Sequence, residues 1–361
     1  MQVLRVPPFF LLFWAILGLS LGLPLFPALG SERTHGYDFE CQSLIHPISG
    51  QAKSVREILG MFWDRIVPRP SGPLTFGVEI EGAYPRGQSV YTVPLIIRQV
   101  MHERFGFKEP IFRDDDLVYY TIPFLKYHRP SVWTIHEEET FPLLHASQFP
   151  LEVSTPILRD DEDLDMLDSV LRRLSMADFH AYPLGAGVHV HVGLPDASTD
   201  ELKFLMIAFS LIQKRVLRFF SASNFRMPFV DMLPQPILNR LVDPTSQSDL
   251  AALDSFFVWL RGNARKNVAV NVLPLITQET IEFRLFNSTL QPRLVRFCVA
   301  FARRWLKAIR EKDESLLTFL ETASTSRSIS VNALADFMGM HPDEVEFVMK
   351  QFNKELSRAL D

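Results

Sequence analysis

Three short stretches of this chain place acids, histidines or an arginine at every second position, with apolar residues between them. They are Thr75-Phe-Gly-Val-Glu-Ile-Glu81, Gly187-Val-His-Val-His-Val-Gly193 and Thr280-Ile-Glu-Phe-Arg-Leu-Phe286. Side chains two apart on a β-strand share a face. Glu79 therefore sits beside Glu81, His189 beside His191, and Glu282 beside Arg284. A half-buried sheet normally wets its outer face with Thr, Lys, Ser or Gln. A wet face of paired carboxylates, paired imidazoles and a Glu/Arg pair has instead the chemistry of a metal and phosphate site.

Each pair taken alone has a plainer reading: a solvated Glu pair, an exposed His pair, a surface ion pair that contributes little. Three strands with the same alternation, each with unusual residues in its polar row, favour the site. A hard divalent cation such as Mg²⁺ takes carboxylate oxygens together with water and phosphate oxygens. Glu79, Glu81, Glu282 and Glu152, from a fourth strand over Phe149–Thr155, can supply such oxygens. His189 and His191 can ligate a metal or donate to phosphate. The planar fork of Arg284 suits a phosphate or a carboxylate. Arg265 and Lys266 can bind phosphate or form an exposed basic turn. Together these parts fit metal-assisted phosphoryl transfer.

The chain of 361 residues is long enough for one large domain or two smaller ones, and its hydrophobic share of 47% is ordinary for a globular protein. A net charge of −5 with no long basic block gives no footprint for nucleic acid, and none is expected as a partner. Arg5 precedes an uncharged apolar run over residues 6–30 that exits in small residues, so residues 1–30 read as a signal peptide or an N-terminal membrane anchor. Either way the body is expected to be exported, and residues 6–30 are the one segment expected to associate with a membrane. Two cysteines, Cys41 and Cys298, do not make a disulfide scaffold, although an oxidising compartment permits one bridge between them.

Periodicity places helices near residues 56–66, 90–105, 161–179, 199–220, 253–260 and 292–311, with a C-terminal helical pair over 314–322 and 330–358. Ser198-Thr-Asp-Glu201 has the form of a capping box. Residues 107–145, including His136, read as short strands and loops, and 224–250 as a Pro-rich excursion. Strands with hairpin-like neighbours outnumber clear βαβ units, which predicts an α+β fold with an antiparallel sheet. The expected division is 1–30 as the leader, 31–73 as an N-terminal extension, 74–312 as a catalytic domain and 313–361 as a C-terminal helical segment.

Four motifs, Phe76-Gly-Val-Glu-Ile-Glu81, Leu151-Glu-Val-Ser-Thr-Pro156, Gly187-Val-His-Val-His-Val192 and Thr280-Ile-Glu-Phe-Arg-Leu-Phe286, resemble those of the amidoligase family in the family's order. Arg265 to Asn271 resembles its basic/Asn stretch. That family is grouped with carboxylate–amine ligases of the glutamine synthetase and glutamate–cysteine ligase fold. The resemblance implies a curved, mostly antiparallel sheet with helices on its outer face, and a concave face that binds ATP and Mg²⁺. The reaction implied joins a carboxylate to an amine through an acyl phosphate. It implies Glu79, Glu81, Glu152 and Glu282 as metal ligands, and Arg284, Glu282 and His191 as catalytic residues. His189, Arg265, Lys266 and Asn271 would contact the nucleotide. Where family members often carry an Asp-Gly-Ser-like turn, this chain has Trp133-Thr-Ile-His-Glu-Glu-Glu-Thr140.

An exported body meets little ATP, so two other readings stay open. One is a metal-dependent amide hydrolase on the same scaffold, with His189, His191 and a Glu holding zinc. The other is a non-catalytic envelope protein that binds a ligand. Substrate identity and oligomeric state are not encoded in any motif.

Overall fold

The computed structural model describes residues 55–114, 119–124, 126, 131–137, 147–220, 235–242, 253–263, 268–326 and 328–360. The expected leader, Cys41, Arg265, Lys266 and most of the Pro-rich excursion lie outside the described residues. Among those described, no helix is long and apolar enough to cross a membrane.

Among the described residues the centre is an open sheet of nine strands whose ladders are all antiparallel. The strands are β1 (Phe76–Pro85), β2 (Phe112–Asp114), β3 (Tyr119–Phe124), β4 (Ser131–Glu137), β5 (Gln148–Ser154), β6 (His180–Ala181), β7 (Gly187–Gly193), β8 (Val270–Asn271) and β9 (Thr280–Asn287). Their order is β2-β3-β4-β5-β1-β7-β9-β8, with β6 paired to β1. The fold is α+β, as the hairpin-like spacing predicts. β1 thus lies mid-sheet between two strands that follow it by more than sixty residues in the chain, a placement that no local pattern specifies.

The helices are α1 (Val55–Trp63), α2 (Thr92–Phe105), α3 (Asp161–Met176), α4 (Thr199–Phe219), α5 (Gln235–Val242), α6 (Leu253–Asn263), α7 (Leu275–Gln278), α8 (Pro292–Glu311), α9 (Glu314–Thr325), α10 (Val331–Met338) and α11 (Pro342–Leu360). Local chemistry explains their starts. Ser198 and Glu201 form the capping box at α4, Asp160 accepts from Asp163 N at α3, and Ser330 accepts from Ala333 N at α10. Each such cap satisfies amides that have no partner within the helix. The C-terminal pair expected from periodicity is three helices, because Gly339 closes α10 in the left-handed conformation before α11 begins. β8 is only two residues long, and the short α7 follows it.

Alternation decides which face of the sheet is buried. Val78, Ile80, Leu151, Val153, Val188, Val190, Ile281 and Phe283 are at most 1% exposed and belong to a single core. α8 packs on β1 and β7, α4 on β9, and α2 on β3. Phe220, just beyond α4, gathers Phe286 of β9, Phe301 of α8 and Phe352 of α11 at ring distances of 4.8, 5.3 and 5.6 Å. At the other end Trp63 of α1 packs on Phe204 at 4.9 Å. The helix before β1 and the helices after α8 therefore share the core of the sheet. Cys298 is buried in that core, where loss of hydration pushes its thiol well above the usual range. Gly82 is the close approach that lets β6 pair with β1, since a Cβ there would lie 2.7 Å from His180 O and from the Phe179 ring.

Candidate metal centre

The register places the polar residues of the other face in rows across the strands. Glu79 of β1 is the partner of His189 on β7 and of Ser154 on β5. Glu81 is opposite Glu152, which is in turn opposite His136 of β4. His191 lies between Gly77 of β1 and Glu282 of β9, and Glu282 pairs with Asn271 of β8. Eight of the ten residues proposed from the sequence stand on this face: Glu79, Glu81, Glu152, His189, His191, Asn271, Glu282 and Arg284. The other two, Arg265 and Lys266, lie outside the described residues.

His189 is 1% exposed and bridges carboxylates, with Nδ1 donating to Glu79 Oε2 at 3.0 Å and Nε2 lying 3.5 Å from Glu81 Oε1. The second Glu81 oxygen accepts from Gly187 N at 2.5 Å. His191 is held through Nδ1, 3.1 Å from Thr280 Oγ1. Its Nε2 is buried and makes no hydrogen bond among the described residues, although it lies 3.1 Å from Glu79 Oε1 and 3.9 Å from Glu282 Oε1. Asn271 Nδ2 donates to Glu282 Oε2 at 2.9 Å while its Oδ1 accepts from Leu273 N. Both ends of that amide are engaged with protein. Arg284 Nη1 donates to Glu282 Oε1 at 2.5 Å.

Charge is concentrated here. Burial works against ionised Glu79, but contact with His189 and His191 prevails and holds its carboxyl well below the usual range. Burial also opposes a charged His191, and the Glu79 and Glu282 carboxylates outweigh it and raise its pKa. For Arg284 the same burial is overcome by Glu282 and Glu81.

One oxygen each of Glu79 and Glu282 and one ring nitrogen of His191 lie within 4.8 Å of one another. Two carboxylates and a buried imidazole nitrogen that hydrogen-bonds to none of the described residues form a donor set that fits a divalent cation. Glu152 stands to one side, accepting from Ser154 Oγ at 2.8 Å and 3.6 Å from His136 Nε2. The structure therefore gathers Glu79 and Glu282 with His191, and leaves Glu152 with Ser154 and His136.

His136, expected only among short strands and loops, stands on β4 beside Glu152. The signal was present in the alternation of Val132, Thr134 and His136 with the buried Trp133 and Ile135, but it was masked by the acid run that follows. Thr280 was missed as well, because a lone Thr on a strand has no distinguishing pattern.

A cleft of about 890 Å³ opens on this face, lined by Glu79, His191, Glu152, His136, Thr280 and Gly77 among others, and it runs on towards Arg159, Asp196 and Arg310. Gly77 forms part of its floor. A Cβ at that position would meet Thr155 Oγ1 at 3.8 Å and His191 Cβ at 3.9 Å, ordinary contacts. The backbone does not demand a glycine there, and its absent side chain leaves the cleft open beside His191. The volume is ample for a small-molecule ligand.

Comparison with curated proteins finds no match to this chain. Residues 72–306 match the model of a family described as "Putative amidoligase enzyme", a span that includes every strand of the sheet. With well over half of its 361 residues matched, the chain belongs to the amidoligase family.

Proposed function

We propose that this protein is an ATP- and Mg²⁺-dependent ligase that joins a carboxylate to an amine, on a curved sheet of the glutamine synthetase type. The observation that carries the reading is the convergence of Glu79, His191 and Glu282 on one point, with Arg284 on the same carboxylate. In this reading Glu79, His191 and Glu282 hold a divalent cation, with Glu81 and Glu152 extending the acidic row for further cation or water contacts. The cation would offset charge on the nucleotide phosphates.

The chemistry proceeds in two balanced steps. An oxygen of the substrate carboxylate attacks the γ-phosphorus of ATP, forming a C–O–P linkage as the bond to ADP breaks. The amine nitrogen then attacks the acyl carbon, the amide C–N bond forms as the acyl C–O bond breaks, phosphate leaves, and the nitrogen's proton passes to the departing phosphate or to water. Arg284 holds the transferring phosphoryl group and balances its charge, a role suited to a guanidinium already fixed in position. His189 orients Glu79 and Glu81 from below. Arg265 and Lys266 are assigned to the nucleotide phosphates, and Asn271 to keeping Glu282 in place beside the nucleotide. The body works outside the cytoplasm, released from or anchored by residues 1–30.

The test is release of ADP and phosphate by the purified full chain. The reading requires a turnover that depends jointly on Mg²⁺, ATP, a carboxylate and an amine. Turnover of ATP that never responds to an amine across a broad panel would overturn it.

A second reading is favoured by the imidazole in the donor set, since nitrogen ligands suit Zn²⁺ better than Mg²⁺. It is a metal-dependent amide hydrolase, which needs no ATP in an exported setting. Stoichiometric zinc in the purified protein together with amide cleavage would support it over the ligase.

A further inference from the structure

The neutral imidazole has one protonated and one unprotonated ring nitrogen, and only the unprotonated one can ligate a cation. Which nitrogen carries the proton is set by the group that the other face of the ring meets. At His191 the two nitrogens have different surroundings. Nδ1 is hydrogen-bonded to Thr280 Oγ1 at 3.1 Å. Nε2 is buried, makes no hydrogen bond among the described residues, and lies 3.1 Å from Glu79 Oε1 and 3.9 Å from Glu282 Oε1. Thr280 opens β9 opposite Gly193, two residues before Glu282, so the same short strand carries the threonine and a carboxylate of the cluster. A hydroxyl two residues before Glu282 is on the same strand face, where it reaches Nδ1 while a Glu282 oxygen lies 3.9 Å from Nε2.

We infer that Thr280 is a positioning residue that accepts a hydrogen bond from His191 Nδ1 and thereby presents Nε2 to the cation held by Glu79 and Glu282. This rests on the reading of those three residues as a cation site. Thr280 does not touch the cation. Its hydrogen bond to Nδ1 fixes the ring plane; with a cation at Nε2, Nδ1 is the nitrogen that keeps the proton, and the hydroxyl is placed to accept from it.

Valine is nearly isosteric with threonine and favours strands, so Thr280→Val keeps β9 while removing the acceptor. Thr280→Ser keeps the acceptor. The experiment uses the full chain and the metals Mn²⁺ and Zn²⁺ alone, with no substrate. Mn²⁺ affinity is expected to fall about 10- to 100-fold in Thr280→Val, to stay within about threefold of wild type in Thr280→Ser, and to be lost in Glu79→Ala. Imidazole ¹⁵N shifts of the Zn²⁺-loaded wild type should show His191 protonated at Nδ1 and metal-bound at Nε2. If Thr280→Val binds Mn²⁺ as wild type does while Glu79→Ala does not, or if His191 is bound through Nδ1, the role of Thr280 is refuted and the cation site stands. If the wild type binds neither metal, the cation site and the role of Thr280 both fall.

Discussion

Glu282 and Arg284, two residues apart on β9, are joined by a hydrogen bond of 2.5 Å from Nη1 to Oε1, and that Oε1 is also the oxygen turned towards His189 and His191. The pairing register of β7 with β9 shifts beside these residues, between Val188 and Val190, so one more residue of β9 than of β7 occupies that interval. Bulges re-aim side chains next to functional sites, and this one spans Arg284, whose backbone N donates to Ala269 O on the β8 side. The guanidinium and a cation would share the Glu282 carboxylate.

Arg284→Met should therefore separate binding from turnover. Ligase activity is expected to drop about 10²- to 10³-fold, the usual effect of losing a fixed charge-stabilising donor. Mn²⁺ affinity should hold or rise, because a competitor for Glu282 Oε1 is gone. Parallel assays of ADP release and Mn²⁺ binding check this. Equal losses in both would place Arg284 in cation binding.

Glu79→Ala should abolish metal-dependent activity and leave the fold intact. Glu79 belongs to the polar face and not to the apolar core, so its loss leaves the packing of Val78 and Ile80 undisturbed. Circular dichroism and cooperative melting test the fold. A variant with wild-type nucleotide turnover would remove Glu79 from the site.

Gly77→Ala is expected to fold as wild type, because its Cβ finds only ordinary contacts and an interior strand glycine is worth about 0.5–1 kcal/mol less than alanine. Gly77→Leu should fold too, but its side chain enters the cleft beside His191 and should raise the KM of a substrate at least tenfold. Steady-state kinetics of the two variants distinguish a crowded cleft from an altered fold. Unchanged KM in Gly77→Leu would mean that substrate does not use this part of the floor.

Ligand binding should be visible in melting temperature. A ligand present at about 100 times its Kd and bound only to the native state adds about 2.7 kcal/mol. Mg-ATP should raise the melting temperature of the wild type and leave that of Glu79→Ala close to the unliganded value. A rise with Zn²⁺ and none with Mg-ATP would favour the hydrolase.

Away from the site, Glu355 of α11 accepts from Thr289 Oγ1 at 3.0 Å and Gln291 Nε2 at 2.7 Å, both on Oε1. Burial raises its pKa more than these bonds lower it. The folded state thus keeps this proton to a higher pH than the unfolded chain does. Stability is predicted to decline as pH rises from the ordinary glutamate value through the raised one, and then to level off. Glu355→Gln should flatten that decline in melting temperature against pH. A parallel decline in both proteins would assign it to another group.

The alternation in Thr75–Glu81, Gly187–Gly193 and Thr280–Phe286 was enough to determine strands, shared faces and the chemical character of the polar face, because a period of two is a property of the extended backbone alone. Caps such as Ser198 with Glu201 are equally local, and α4 and α8 begin where their residues indicate. Which strands become neighbours is not local. Glu79 meets His189 across 110 residues of chain, and His191 meets Glu282 across 91, through pairings selected by how the whole apolar face packs on α4 and α8. Only the tertiary structure could set Glu152 beside His136 and Ser154 and gather Glu79, His191 and Glu282. It also gave Thr280 and Asn271 their places behind the site. The strand pattern specifies a direction for each side chain; the distance between two side chains on different strands depends on the register, and register is decided by the fold as a whole.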